Sequence, residues 1–153
     1  MDTNITKTWT VVIREEEVFA RCTNESLYQA YVRTADNPKG DAVVMQDDDR
    51  NIFRVYFANA ISELHMMLAR RMDESTFYNE AIGGDIAFSL KMHDNHDDNV
   101  LPMLVHHCYE YVVRKVLEQW YRADLGSQLE RLEINHCLHY RKNPVRRRIG
   151  PLF

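Results

Sequence analysis

The most apolar helical stretch of the sequence is residues 99–121, NVLPMLVHHCYEYVVRKVLEQWY. Pro102 falls where the first turn of a helix tolerates proline. Apolar side chains surround the predicted helix on nearly all sides, namely Leu101, Leu104, Val105, Cys108, Tyr109, Val112, Val113, Val116, Leu117 and Trp120. A helix of this kind is either central in its fold or shared between subunits.

Three further helices and two short strands are predicted around this stretch. The helices run from about Glu15 to Thr34, from about Asp48 to Met72 and from about Ser127 to Tyr140. Residues 5–13 are rich in β-branched types and form a strand or an extended arm, whereas Ile86 to Met92 alternate like a strand with one buried face. The sequence therefore predicts a mainly α fold, a helical bundle with a small β-strand or hairpin element.

Length and composition are those of one globular domain. The chain has 153 residues, of which 45% are hydrophobic and 27% charged, as in ordinary soluble proteins. The sequence contains no apolar run of the roughly 18 residues that a membrane span needs, and its first residues do not show the pattern of a signal peptide. We therefore expect a cytoplasmic protein without membrane contact, whose Cys22, Cys108 and Cys137 are reduced thiols.

Charge divides the chain into a body and a tail. Five of the 19 basic residues, and no acidic residue, lie in residues 141–153, which leaves the body with 14 basic and 23 acidic residues. We expect residues 1–140 to form the domain, with 1–14 as a possible N-terminal arm or strand. Residues 141–153 are then an extended basic C-terminal tail with a partner of its own.

The end of this tail carries the candidate docking residues. Three consecutive arginines are followed by an apolar end, and the residues expected to dock are Arg146, Arg147, Arg148, Leu152 and Phe153. Arginines suit bidentate contacts with carboxylates or phosphates, and the two apolar side chains suit a pocket. A solvated, disordered end is the simpler interpretation. Binding of nucleic acid by the tail is a third possibility, although the acidic body would repel a phosphate backbone.

No motif for catalysis is present, so we expect a protein that is not an enzyme and has no cofactor. The phosphate-binding and nucleophile-elbow glycine patterns are missing. The main alternative is a metal-dependent enzyme on a helical bundle, with His65, His106 and either His136 or His139 as ligands. The loop from Asp94 to Asn99 is expected to be a solvated turn that caps the next helix rather than a calcium site.

A family resemblance begins at residues 47–53, DDDRNIF, and continues through residues 60–64, AISEL. The sequence resembles the head–tail connector proteins (adaptor, head-completion or neck-ring proteins) of tailed bacteriophages and prophages. The shared order is an acidic pair capping a helix, an alanine near its middle, a strand-like insertion, a long helix, and then a short helix and an arm. The corresponding segments here are Asp48-Asp49, Ala60, Ile86–Met92, Pro102–Tyr121 and Leu129–Phe153. The helix from Val18 to Tyr31 is similar to the N-terminal part of virion neck proteins in prophages of gut Bacteroidetes.

The resemblance implies a structural subunit of a homo-oligomeric ring, twelve-fold in such proteins, beneath the portal of a DNA-filled capsid. It implies that the C-terminal arm docks on the portal protein and that the opposite face receives the next neck or tail protein. Genome DNA would pass through the lumen without sequence-specific binding. The protein would be assembled in the cytoplasm of the bacterial host and reside in the virion.

Overall fold

A computed structural model describes residues 5–36, 44–72, 79–80 and 84–141. The tail predicted from residue 142 onward lies outside these residues. Four α-helices dominate the described chain, which confirms the predicted mainly α fold. They are α1 (Glu15–Asp36), α2 (Arg50–Leu68), α3 (Leu101–Tyr121) and α4 (Ser127–His139). Single 3-10 turns precede α2 and α3, at Asp47–Asp49 and Asp98–Val100, and a third one, Ala69–Arg71, follows α2.

The small β element is an antiparallel sheet. Strand β1 (Thr6–Ile13) pairs along its whole length with β3 (Ile86–His93), so that Trp9 lies opposite Leu90. A two-residue strand, β2 (Asn79–Glu80), pairs with the other edge of β3. Within residues 5–13, which the sequence predicts as a strand or an arm, Thr6–Ile13 form a strand.

Both long strands have one buried face, because alternate side chains point to opposite sides of a sheet. Trp9, Val11 and Ile13 are buried on β1, as are the alternating residues of β3. This face packs into the same hydrophobic core as α3, which also contacts α1, α2 and α4. For the most apolar helix, the sequence predicts either a central position in the fold or a position shared between subunits. In the structure, α3 is central in the fold.

The inward face of α2 contains Phe53, Phe57, Ala60, Ile61, Leu64 and Leu68. Ile52 is apolar but exposed, because a residue next to Phe53 in sequence points about 100° away from it around the helix. Cys22, Cys108 and Cys137 are all buried.

A tight turn directs α4 back along α3. It contains Arg122 at φ 54° and Gly126 at φ 88°, both in the left-handed region. The Glu118 carboxylate accepts hydrogen bonds from the backbone N–H groups of Leu125 and Ser127, each at 3.0 Å, and from the Ser127 hydroxyl at 2.8 Å. This carboxylate therefore fixes the direction in which α4 begins. Within the described residues, no helix combines the length and apolar character needed to cross a bilayer.

Candidate functional site

The predicted docking residues Arg146, Arg147, Arg148, Leu152 and Phe153 all lie outside the described residues. The structure does describe the base of the tail, since Tyr140 leaves α4 in an extended conformation and Arg141 follows it. The surroundings of Arg141 therefore show where the basic tail starts on the domain.

The base of the tail lies beside a buried histidine. His96 is only 1% exposed, whereas the sequence predicted a solvated turn for its loop. Trp9 covers it edge-on, with ring centroids 5.7 Å apart, and Arg71 approaches its Nε2 atom with Nη1 at 3.5 Å. The capping part of that prediction holds, because the Asp97 side chain accepts a hydrogen bond from the backbone N–H of Asn99 at 2.9 Å.

Burial lowers the pKa of His96, and the charges of Arg71, Arg141 and Lys7 lower it further, while the backbone of Tyr140 opposes the shift. The ring is therefore neutral at neutral pH, and its Nε2 atom can accept a hydrogen bond from the Arg71 guanidinium. Lys7 also donates to the backbone carbonyl of His96 and forms an ion pair with Asp98 at 2.9 Å. Strand β1, the turn after α2, the β3–α3 loop and the residues that follow α4 therefore meet around His96.

The outer face of α4 is an uncovered apolar surface. Leu129 is 66% exposed and Leu132 is 63% exposed, and both lie opposite the buried residues Ile134 and Leu138. His136, one turn farther along, is exposed on the same face. We call the surface formed by Leu129, Leu132 and His136 the α4 face. It agrees with the sequence, which has more apolar residues on this helix than one neighbour can bury.

A second uncovered apolar surface lies on α1. Val18, Phe19 and Cys22 enter the core, but the later apolar residues Leu27, Tyr28 and Tyr31 are exposed, Tyr31 to 78%. We call these three residues the α1 face. Large exposed apolar patches on soluble proteins commonly mark interaction sites.

Between α1 and the α3–α4 turn lies a groove of about 250 Å³, lined mainly by charged and polar residues. Glu110 projects into it from α3 and is 8% exposed. Arg21 binds this carboxylate with both terminal nitrogens, at 2.8 and 3.3 Å, and its Nε also contacts Glu25 at 3.0 Å. Sequence reasoning missed this cluster, and its only signal is an acidic residue, Glu110, flanked by Tyr109 and Tyr111 in an apolar part of α3.

A second ionic cluster joins α3 to α4. The Nδ1 atom of His107 is 2.7 Å from Glu130, and Arg114 lies 3.5 Å from the other oxygen of the same carboxylate. Arg114 also donates to the backbone carbonyl of Leu125 at 3.0 Å. Within each cluster, the charged groups contact one another. Their geometry therefore suits a structural role, in which they hold α1 and α4 against α3.

The structure does not bring together the histidines of the metal-enzyme alternative. His65 stacks on Phe88 at the sheet, with ring centroids 6.3 Å apart, and His106 lies beside His107 on α3. His136 and His139 are on α4, where His139 contacts the backbone carbonyl of Asn135 at 2.7 Å. Among the residues for which the structure gives positions, no three histidine, cysteine or acidic side chains are grouped so as to hold a metal ion.

The fold and its exposed surfaces are thus the grounds on which a function can be inferred. No protein-family model, no curated protein and no solved structure matches the chain.

Proposed function

We propose that the protein is a non-enzymatic virion assembly protein, a ring-forming head–tail connector that joins the portal to the neck or tail of a tailed phage or prophage. The observation that carries the proposal is the pair of uncovered apolar surfaces, the α1 face and the α4 face. The sequence resemblance to connector proteins supplies the class of assembly.

Two different surfaces on one subunit suit a closed ring. In a cyclic assembly of more than two subunits, each subunit contacts its neighbours through two distinct patches, one for each side. The two faces belong to separate helices that both pack on α3. We propose that the α1 face of one subunit meets the α4 face of the next, so that exposed leucines and tyrosines become buried.

The basic tail supplies the contact with a different protein. Arg146, Arg147 and Arg148 would bind carboxylates of the portal protein, and Leu152 and Phe153 would enter an apolar pocket on it. Genome DNA would pass through the lumen without base-specific contacts. The ring would be assembled in the host cytoplasm and reside in the neck of the virion.

The native mass of the full chain in solution tests the ring. We expect a closed oligomer at high protein concentration, and the double substitution Leu129→Gln with Leu132→Gln should reduce it to monomers. The matched control is Val55→Gln with Met66→Gln, because these two residues of α2 are also exposed and apolar. If the control variant dissociates equally, or the chain is monomeric both alone and with its portal, the proposed ring is wrong.

Removal of the tail tests the docking. A chain that ends at Asn143 should keep its circular dichroism spectrum and its own oligomeric state but lose binding to the portal protein. Replacing Arg146, Arg147 and Arg148 by glutamine in the full-length chain should have the same effect. Undiminished binding by both variants would refute docking through the tail.

A further inference from the structure

We propose that His96 is a pH switch, whose neutral imidazole holds the loop between β3 and α3 closed and whose protonation opens this loop. The loop, residues 94–97, runs from the end of β3 to the 3-10 turn Asp98–Val100 that precedes α3. The switch depends neither on ring assembly nor on portal docking, so its failure would leave the proposed function standing.

The contact between Arg71 and His96 requires an unprotonated Nε2 atom. Arg71 Nη1 lies 3.5 Å from this nitrogen, and a guanidinium group has only donors to offer. The neutral imidazole therefore carries its proton on Nδ1 and accepts at Nε2. Protonation of Nε2 turns this acceptor into a donor, so that two N–H groups and two positive charges face each other.

Burial makes this reversal costly while the loop stays closed. His96 is 1% exposed, and Trp9 of β1 packs edge-on against it. The backbone carbonyl of His96 also accepts a hydrogen bond from Lys7 of the same strand. A buried charge is less stable than a solvated one. Outward movement of the loop would solvate the protonated imidazole, separate it from Arg71 and uncover the edge of Trp9.

The groups around His96 favour its neutral form in the closed loop. Burial lowers its pKa below the ordinary value of 6.5, and the charges of Arg71, Arg141 and Lys7 lower it further. The backbone of Tyr140 offsets only part of this shift. In an open loop the imidazole returns to water and to its ordinary pKa. As the pH falls below about 6.5, the open form therefore takes up the proton first, and the equilibrium moves towards opening until the closed form is protonated as well.

Contacts at both ends of the loop do not depend on the protonation state of His96. Asp98 accepts a hydrogen bond from the indole N–H of Trp9 at 2.9 Å. His93 Nδ1 lies 2.8 Å from the side-chain oxygen of Asn95, and a protonated His93 can keep this contact as the donor. Opening is therefore confined to the residues between these two contacts.

The fluorescence of Trp9 tests the switch, because this indole packs against His96. The chain has two tryptophans, so the substitution Trp120→Phe leaves the signal of Trp9 alone. Between about pH 7.5 and about pH 5, we expect a reversible red shift of the emission. Its midpoint should lie below pH 6.5, and the far-ultraviolet circular dichroism spectrum should not change. His96→Gln in the same background should abolish the shift.

His93→Gln is the matched control, because it removes the other histidine next to the loop and should keep the transition. Arg71→Gln removes the opposing charge and should move the midpoint towards higher pH, a result that remains informative even if His96→Gln disturbs the fold. A transition that persists in His96→Gln or is lost in His93→Gln would overturn the switch. So would an unmoved midpoint in Arg71→Gln, a shift that coincides with loss of the helical signal, or no shift at all.

Discussion

Glu110 is a carboxylate buried on the most apolar helix of the fold, where burial disfavours a charge. Arg21 compensates for this by binding both carboxylate oxygens, and Glu25 occupies the remaining side of the guanidinium. Removing one partner of such a pair lowers the free energy of unfolding by more than the pair itself contributes to it, because the other charge stays buried without compensation. The contact therefore makes the position of α1 on α3 specific.

Replacing Glu110 by glutamine should lower the free energy of unfolding by about 2 kcal/mol, less than for a fully buried pair because Arg21 is partly exposed to solvent. Glu25→Gln removes the more exposed contact of the same arginine and should cost less than about 1 kcal/mol. Urea unfolding followed by circular dichroism measures both. Equal losses would contradict a special role for the buried carboxylate.

His96 should make the stability of the domain depend on pH. Its pKa in the folded protein is lower than the ordinary value of 6.5, so the unfolded chain takes up the proton first as the pH falls. Stability is therefore complete above about pH 6.5 and is lost as the pH falls towards the native pKa, by up to about 1.4 kcal/mol per pH unit.

Urea unfolding at about pH 7.5 and about pH 5.5 tests this dependence. His96→Gln should lose less stability between the two values than the unsubstituted protein does. His106→Gln, which removes an exposed histidine outside the α4 face, should keep the full dependence. An unchanged dependence in His96→Gln would show that other groups cause it.

At the scale of elements, the Glu118 side chain makes the largest number of hydrogen bonds to the turn between α3 and α4 among the described residues. Glu118 accepts three hydrogen bonds from the turn that follows α3, and two of the donors are backbone groups that would otherwise need water. Because the turn holds Arg122 and Gly126 in left-handed conformations, it needs contacts that outweigh the strain at Arg122.

Glu118→Ala should therefore reduce the free energy of unfolding by about 2 kcal/mol, the value of charge-assisted bonds lost at a partly buried site. Amide hydrogen exchange should increase first in α4 and in the turn. Glu133→Ala makes the same replacement at an exposed position of α4 and should change stability by less than about 0.5 kcal/mol. Comparable effects of the two substitutions would show that the turn does not rely on Glu118.

The sequence predicts the elements well where periodicity is strong. Alternation identifies β3, and the all-round apolar character of residues 99–121 identifies the central helix. It cannot predict that β1 pairs with β3, or that Arg21 reaches Glu110, because these partners are far apart in the chain and meet only through tertiary packing. The sequence also cannot predict which apolar residues of α1 and α4 remain exposed. Leu27 and Leu129 cannot be distinguished in the sequence from the leucines of the core.

At the scale of the whole molecule, a mixing experiment distinguishes how subunits would join. One variant, Tyr28→Gln with Tyr31→Gln, removes the α1 face, and the other, Leu129→Gln with Leu132→Gln, removes the α4 face. If the α1 face binds the α4 face, each variant alone is monomeric but an equimolar mixture forms dimers, because one intact pair of surfaces remains. Native mass spectrometry would detect these dimers.

Other outcomes of the mixing experiment contradict this arrangement. Dimers of either variant alone would mean that identical faces pair with each other, which gives a two-fold contact rather than a ring. A mixture that stays monomeric, although the unsubstituted chain forms oligomers, would mean that the subunits join through other surfaces. Both results would leave the fold of the domain as described.

Pairing of β1 with β3 has a consequence for the order in which the protein acquires its shape during synthesis. Thr6 is opposite His93, so the ribosome must translate the chain through His93 before the first strand can pair along its whole length, and α3 follows later still. Until then Trp9, Val11 and Ile13 have no core to enter, and the nascent N-terminus is a β-branched segment open to wrong partners. Completion of the domain therefore waits for α3, and chaperone occupancy on the growing polypeptide should end only after α3 has left the exit tunnel.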